Sequence, residues 1–203
     1  MHTDMLLVGA GGHAKVVLDA LQVCGVKQVV VLDDDMSLEG KTLLGISIQT
    51  PVVFEGKEEQ AHIAVGNNAA REQLSQLSSN AGVLLHTVTH PKSIIAASAT
   101  VKEGCFIAAQ AILAPDSKLG RCVIVNHGAI VDHDCIVGDF SHIAPQATLG
   151  GGVAIGKGCL IGAGAVVLPG ITIADRVTVG AGAVVVEDIL QEGLVVRGVP
   201  AKP

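Results

Sequence analysis

The chain has 203 residues, 49% of them apolar, and a formal charge of −6, enough for one long domain or two small ones around a buried core. An acidic balance with no Trp, no Tyr and three Phe excludes a surface that tracks phosphates with cations and stacks bases on rings, so no nucleic-acid partner is expected. No apolar run approaches the roughly 18 residues of a membrane span, and Met1 to Gly12 lacks the basic start and long apolar stretch of a signal peptide, which predicts a cytoplasmic protein with no membrane partner.

In chain order, Met5 to Val8 reads as a short buried strand, followed by Gly9-Ala10-Gly11-Gly12-His13-Ala14. From Lys15 to about Cys24, the residues Val16, Val17, Ala20, Leu21 and Cys24 recur at helical spacing, and Gln28 to Leu32 reads as a second strand ending in Asp33-Asp34-Asp35. This order is a βαβ unit. Within it, Gly9-x-Gly11-x-x-Ala14 with Asp33 about twenty residues on has the context of the dinucleotide fingerprint. Glycines let backbone N–H groups approach a diphosphate, and the carboxylate can reach a ribose hydroxyl. A Gly-rich turn that binds nothing has the same spacing. Met36 to Lys57, with turn signals at Gly40, Gly45, Pro51 and Gly56, is expected to be loop and short strand. Ala61 to Val65 reads as a third strand opening into Gly66-Asn67-Asn68-Ala69-Ala70-Arg71 and a helix to about Ser78, and Val83 to Leu85 as a fourth strand. Residues 1–87 thus supply one mononucleotide half of a Rossmann-like α/β domain, suited to a nucleoside diphosphate and not to a whole dinucleotide.

His86 to Lys92 leads into a different pattern. An aliphatic residue stands at every sixth position: Ile95, Val101, Ile107, Leu113, Leu119, Val125, Val131, Val137, Ile143, Leu149, Ile155, Ile161, Val167, Ile173, Val179 and Val185. Four residues after many of these comes a small side chain, such as Ala99, Cys105, Ala111, Ser117, Ala129, Cys135, Ala147, Cys159, Ala165 or Ala183. A helix would smear a six-residue period around its surface, and a flat strand would alternate every second residue. A coil of short parallel strands, turning a corner every six residues, points both series inward to stack on the next coil. Residues 88–203 are therefore expected to be an all-β parallel β-helix, with 187–203 as a C-terminal tail. Outward Ile124, Ile130, Ile136 and Leu160 need cover, which predicts a homotrimer. Five cysteines without a Cys-x-x-Cys pair argue against disulfides, and Cys105, Cys135 and Cys159 take the inward small position as compact hydrophobes.

The β-helix half also carries His127, His133 and His142, with Asn126, Asp132 and Asp134 around them. His127 and His133 share one outward position in the hexad frame, and exposed histidines are often idle. Asp132-His133-Asp134 is more suggestive, because a carboxylate beside an imidazole raises its basicity and fixes its tautomer. Zinc, the rival reading, would need a compact ligand spacing that these residues lack, so no metal is expected. The basic tail Val196-Arg197-Gly198-Val199-Pro200-Ala201-Lys202 reads as an ordinary terminus on composition alone.

Hexads of this spacing ending in Gly-Val-Pro-Ala-Lys resemble the left-handed β-helix, hexapeptide-repeat acyltransferases. That resemblance implies a left-handed coil, unlike nearly all other parallel crossovers. Gly9-Ala10-Gly11-Gly12-His13, Leu32-Asp33-Asp34, Gly66-Asn67-Asn68 with Arg71, His90-Pro91, Val131-Asp132-His133-Asp134-Cys135 and Ser141-His142 narrow it to the PglD/NeuD-type sugar O-/N-acetyltransferases. Within that family they look closest to the nucleotide 4-amino-sugar N-acetyltransferases. The resemblance implies an acetyl-CoA-dependent enzyme of bacterial glycan biosynthesis that acetylates the C4 amine of a nucleotide-activated 4-amino-4,6-dideoxy sugar, UDP-linked and of the bacillosamine type. It also implies a trimer with active sites between subunits. His133 matches the general base and Asp134 the carboxylate behind it, shorter than the usual Glu, with Asp132 a possible substitute. His142 matches a residue at the acetyl-CoA thioester, Ala163 and Ala181 backbone positions along the pantetheine arm, and Lys202 the tail that approaches CoA. Gly11, Gly12, His13, Asp33, Asp34 and Gly66 fall on the nucleotide-sugar site. Direct attack of the amine on the thioester needs positioning, a proton acceptor and an oxyanion donor, and no covalent enzyme intermediate. A sialic acid O-acetyltransferase, which uses the same base and cosubstrate, is the alternative, and a non-catalytic β-helix ligand sensor a more distant one.

Overall fold

The computed structural model describes residues 5–54 and 60–203. The Gly56 turn signal lies outside them. The first unit is a six-stranded sheet built on β1 (Met5–Val8), which pairs in parallel with β2 (Val29–Leu32) on one side and β5 (Gln60–Ile63) on the other. Beyond β2 lie β4 (Ile46–Gln49), parallel to it, and β3 (Thr42–Leu43), antiparallel to β4; beyond β5 lies β6 (Leu84–Leu85). The segment expected to be loop and short strand thus extends the sheet by two strands, and Met36–Leu38 adds a 3-10 turn. Helix α1 (Gly12–Val23) buries Ala14, Val17, Leu18 and Leu21, a stripe at the 3, 4 and 7 spacing that faces the sheet. It begins three residues before Lys15, where the apolar pattern starts. Helix α2 (Asn68–Asn80) is capped by Asn67, whose side chain accepts the Ala70 N–H at 3.0 Å.

From Val88 onward the chain winds into a triangular parallel β-helix. Its first face has seven strands, from Val88–Thr89 to Val195–Val196. The second has six, from Ile94–Ile95 to Val184–Val185, and the third five, from Thr100–Val101 to Thr172–Ile173. Successive strands of a face pair 18 residues apart, as Phe106 does with Ile124 and Ile124 with His142, until the last pair of the first face, where Thr178 meets Val195 only 17 residues on. The inward aliphatics are buried from Ile107 to Val185, while Ile95 and Val101 stay partly exposed because the first coil has none beneath it. The small companion position has a second use. Cys105, Cys135, Ser141 and Cys159 each donate their S–H or O–H to the carbonyl fifteen residues on, at 2.7 to 3.1 Å, satisfying polar hydrogens inside an apolar core. Burial pushes the Cys105 thiol up to about 12 and raises Cys135 as well, so neither is a ready nucleophile.

Of the outward aliphatics expected to need cover from another copy, one is covered by its own chain. Ile124 is buried by its own chain, in a cluster with Val88, Phe106, Ala108 and the α1 residues Val17 and Leu21. The first face of the β-helix is thus the seat of the N-terminal sheet. Ile136 on the third face remains 51% exposed. No helix among the described residues is long and apolar enough to cross a membrane.

Candidate functional site

The glycines of the β1–α1 turn divide by what requires them. Gly9 has φ +111°, and a Cβ there would stand 3.0 Å from the Ala64 carbonyl oxygen and the Val65 side chain, so the fold itself demands glycine. Gly11 and Gly12 have ordinary φ, and a Cβ at either would meet nothing within 4 Å. The bare backbone they present is the start of α1, where Gly11 offers no side chain to cap the first N–H groups. Unsatisfied donors on the positive end of a helix suit an anion such as a diphosphate. Asp33 shapes this turn: its Oδ2 accepts the Ala10 N–H at 2.7 Å and its Oδ1 the Asp35 N–H at 2.9 Å. Asp34 Oδ1 accepts the Val52 N–H at 3.0 Å. Asp33, anticipated at a ribose, and Asp34, anticipated at the nucleotide-sugar site, therefore both already organise backbone.

His13, on the first turn of α1, points at the first face of the β-helix. Its ring meets Phe106 edge-on at 5.4 Å and lies 6.2 Å from His142, which sits on the strand His142–Ile143. Asn126 Nδ2 lies 3.1 Å from His142 Nε2, and the Gly66 carbonyl accepts from the same ring. Burial, then the nearby Arg71 cation, holds His142 down at about 4; burial, then His62 and His142, holds His13 at about 3. Both rings are neutral at physiological pH. Nε2 of His13 is buried and has no partner among the described residues, a donor or acceptor left for a ligand.

The sequence assigned no role to the residues that hold this junction together. His62, fully buried beneath Phe106, bonds the His86 carbonyl through Nδ1 at 2.9 Å and is held at about 4 by burial. Asn68 donates to the Gly158 and Cys159 carbonyls at 3.0 Å, Lys157 pairs with Glu72 at 2.5 Å, and Arg71 is buried between the two units. Asn68 and Arg71 stood in the sequence as part of the family motif with no role attached, and with Glu72 they lie on one side of α2; His62 and Lys157 carried no signal.

His133 occupies the corner between the second and third faces, the vertex opposite the first face. It is exposed. Nδ1 lies 2.7 Å from Asp134 Oδ2, and Asp132 Oδ1 accepts the His133 N–H at 2.8 Å. Asp134 thus reaches the ring despite its short side chain, and Asp132 serves the backbone. The hydrogen bond with Asp134, followed by the charge of Asp132, raises the His133 pKa. With the Nδ1 proton held by the carboxylate, Nε2 carries the lone pair. That edge of the ring lies over Gly151, one coil on.

Ala163 and Ala181 are exposed and stack one coil apart at the corner between the first and second faces, where Gly182 N–H donates to the Ala163 carbonyl at 2.8 Å. His127, also exposed, belongs to the same corner. Lys202 is fixed beyond it: its backbone exchanges two hydrogen bonds with Arg197, and Ala201 N–H bonds Val184 on the second face. The structure brings Gly11, Gly12, His13, Gly66 and His142 together on one side of the β-helix. It leaves His133 and Asp134 on the other.

The family described as PglD N-terminal domain matches residues 4–77, and the one described as bacterial transferase hexapeptide (six repeats) matches residues 152–186. The acetyltransferase domain of PglB from Neisseria gonorrhoeae FA1090 is 36% identical, with 100% of each chain covered and a TM-score of 0.91; a second structure of that domain holds acetyl coenzyme A. A histidine-to-alanine mutant of GDP-perosamine N-acetyl transferase from Caulobacter crescentus, in complex with CoA and GDP-perosamine, is 34% identical over 100% of this chain and 97% of that one, with a TM-score of 0.89.

Proposed function

The chain belongs to the PglD/NeuD-type family of hexapeptide-repeat sugar acetyltransferases, and on that premise we propose that it is an acetyl-CoA-dependent N-acetyltransferase acting on the C4 amine of a nucleotide-linked 4-amino-4,6-dideoxy sugar. The observation that carries the reading is the His133–Asp134 pair at 2.7 Å, an imidazole made basic and left with a free Nε2. The amine nitrogen attacks the thioester carbon, Nε2 of His133 takes the ammonium proton, and the C–S bond breaks to release CoA thiolate, which receives that proton and leaves the imidazole neutral. Acetyl-CoA is the cosubstrate, bound along Ala163, Ala181 and the Lys202 tail with His142 at the thioester end. The nucleotide lies on Gly11, Gly12 and His13, near Asp33, Asp34 and Gly66. Backbone at Gly11 and Gly12 that no protein contact fills supports this placement.

The reading requires more than one copy. His133 sits at the vertex opposite the face that carries His142 and His13, so a single chain cannot close the site. A homotrimer, in which the His133 corner of one copy approaches the first face of the next, completes it. Exposed Ile136 and Leu168 beside that corner are apolar cover for such a contact. A UDP-linked, bacillosamine-type sugar is the expected acceptor; the GDP-perosamine relative at 34% identity favours a GDP-linked sugar as the second reading. The test is thiol release from acetyl-CoA with UDP-, GDP- and dTDP-linked 4-amino sugars and with sialic acid. Turnover is expected with a UDP-linked amino sugar, falling by about 10²–10⁴-fold in His133→Ala. Release with sialic acid alone would make this an O-acetyltransferase, and release with none would leave a binding protein.

A further inference from the structure

Arg71 is 1% exposed, yet all five of its N–H groups have acceptors. Nε donates to the Cys122 carbonyl at 2.9 Å. Nη1 donates to the Val65 and Gly66 carbonyls at 2.9 and 3.2 Å, and Nη2 to Asn68 Oδ1 at 2.7 Å and the Phe140 carbonyl at 2.5 Å. None of these is a carboxylate, and among the described residues no acidic side chain pairs with it. A buried cation without a counter-ion is a costly way to join two units. Other contacts already join them: the cluster around Phe106 and Ile124, Asn68 on the Gly158 and Cys159 carbonyls, and the Lys157–Glu72 pair. What Arg71 alone does is grip the Val65–Gly66 turn from one side and two successive corners of the β-helix from the other. Gly66 in turn accepts from His142, and a Cβ at Gly66 would stand 3.8 Å from that of His13.

We propose that Arg71 is a positioning residue for the transfer reaction, fixing the Gly66 turn, which lies beside His13 of α1, against His142 of the β-helix at the distance that seats the nucleotide sugar within reach of the acetyl group. The proposal rests on the acetyltransferase reading. A planar fork of five donors meets five acceptors spread over three segments, which the three donors of a lysine cannot do. Among the described residues, the groups that face His142 are His13 from α1, Arg71 from α2 and Asn126 from the preceding coil, and of these Arg71 carries the permanent charge.

The experiment compares wild type with Arg71→Lys and Arg71→Met. In the lysine variant, KM for the nucleotide sugar should rise about tenfold or more while KM for acetyl-CoA stays within about twofold. In the methionine variant, the His142 ring, followed by NMR, should titrate at higher pH than in wild type because a cation that opposes its protonation has gone. A lower melting temperature with both KM values unchanged, or with both raised equally, would reduce Arg71 to a structural staple and overturn the proposal. So would a His142 titration that does not move. If the methionine variant fails to fold, the KM split in the lysine variant decides; if wild type turns over no nucleotide amino sugar, the acetyltransferase reading fails and the proposal with it, whereas wild-type turnover without the KM split overturns the role of Arg71 alone.

Discussion

Gly151→Ala tests the geometry of the base with a single methyl group. A Cβ at Gly151 would stand 2.4 Å from His133 Nε2 and 2.5 Å from its Cε1. Ordinary contact needs about 3.5 Å, so the ring must retreat by about 1 Å. His133 is exposed and Gly151 lies outside the left-handed region of backbone space, so the side chain gives way and the coil does not. Swinging clear also strains the 2.7 Å contact with Asp134. A displacement of about 1 Å at a reacting group costs on the order of 10²-fold in rate. Stability should hold or rise slightly, since replacing Gly by Ala at a compatible site contributes about 0.4–1 kcal/mol through the unfolded chain. The assay is kcat at saturating acetyl-CoA and nucleotide sugar, beside the melting temperature by calorimetry. A G151A protein that melts like wild type and keeps kcat within about twofold would refute the placement of Nε2 at the reacting centre.

The remaining expectations concern charge and assembly. His133 acts as a base only when neutral, and its pKa is raised by Asp134 and Asp132, so kcat should fall as pH drops through a value above the usual 6.5. Asp134→Asn should move that limb to lower pH; a profile that stays in place would remove Asp134 from the pair. His13, His62 and His142 are held near 3, 4 and 4 in the fold, mainly by burial, against about 6.5 when unfolded. Their contribution to stability is complete above about 6.5 and is lost as pH falls toward those values, because the unfolded chain binds the protons first. The urea midpoint should therefore decline steadily from pH 7 to pH 4.5, and a flat midpoint would contradict the buried neutral rings. Sedimentation should show three copies per particle at micromolar concentration, whereas a stable, active monomer would end the inter-subunit site.

The repeating part of the protein was legible without its three-dimensional structure. A coil of the β-helix is set by local chemistry: an aliphatic at one position in six, a small side chain four residues on, and the same demand in the next coil. The inward series from Ile107 to Val185, the inert inward cysteines and the outward His127 and His133 were all legible from that period. The start of α1 was not, because Gly12-His13-Ala14 carries little apolar pattern and is anchored by the contact of His13 with Phe106. Tertiary structure decided what meets what. It buried Ile124 under α1, set His13 against His142 across more than a hundred residues of chain, committed Asp33 to the Ala10 backbone, and surrounded Arg71 with carbonyls from three segments. It also placed His133 at the vertex opposite those residues. A hexad period fixes whether a side chain points in or out at each coil, but not which face another unit of the chain will cover, because that depends on one long-range packing of unlike surfaces and leaves no period to read.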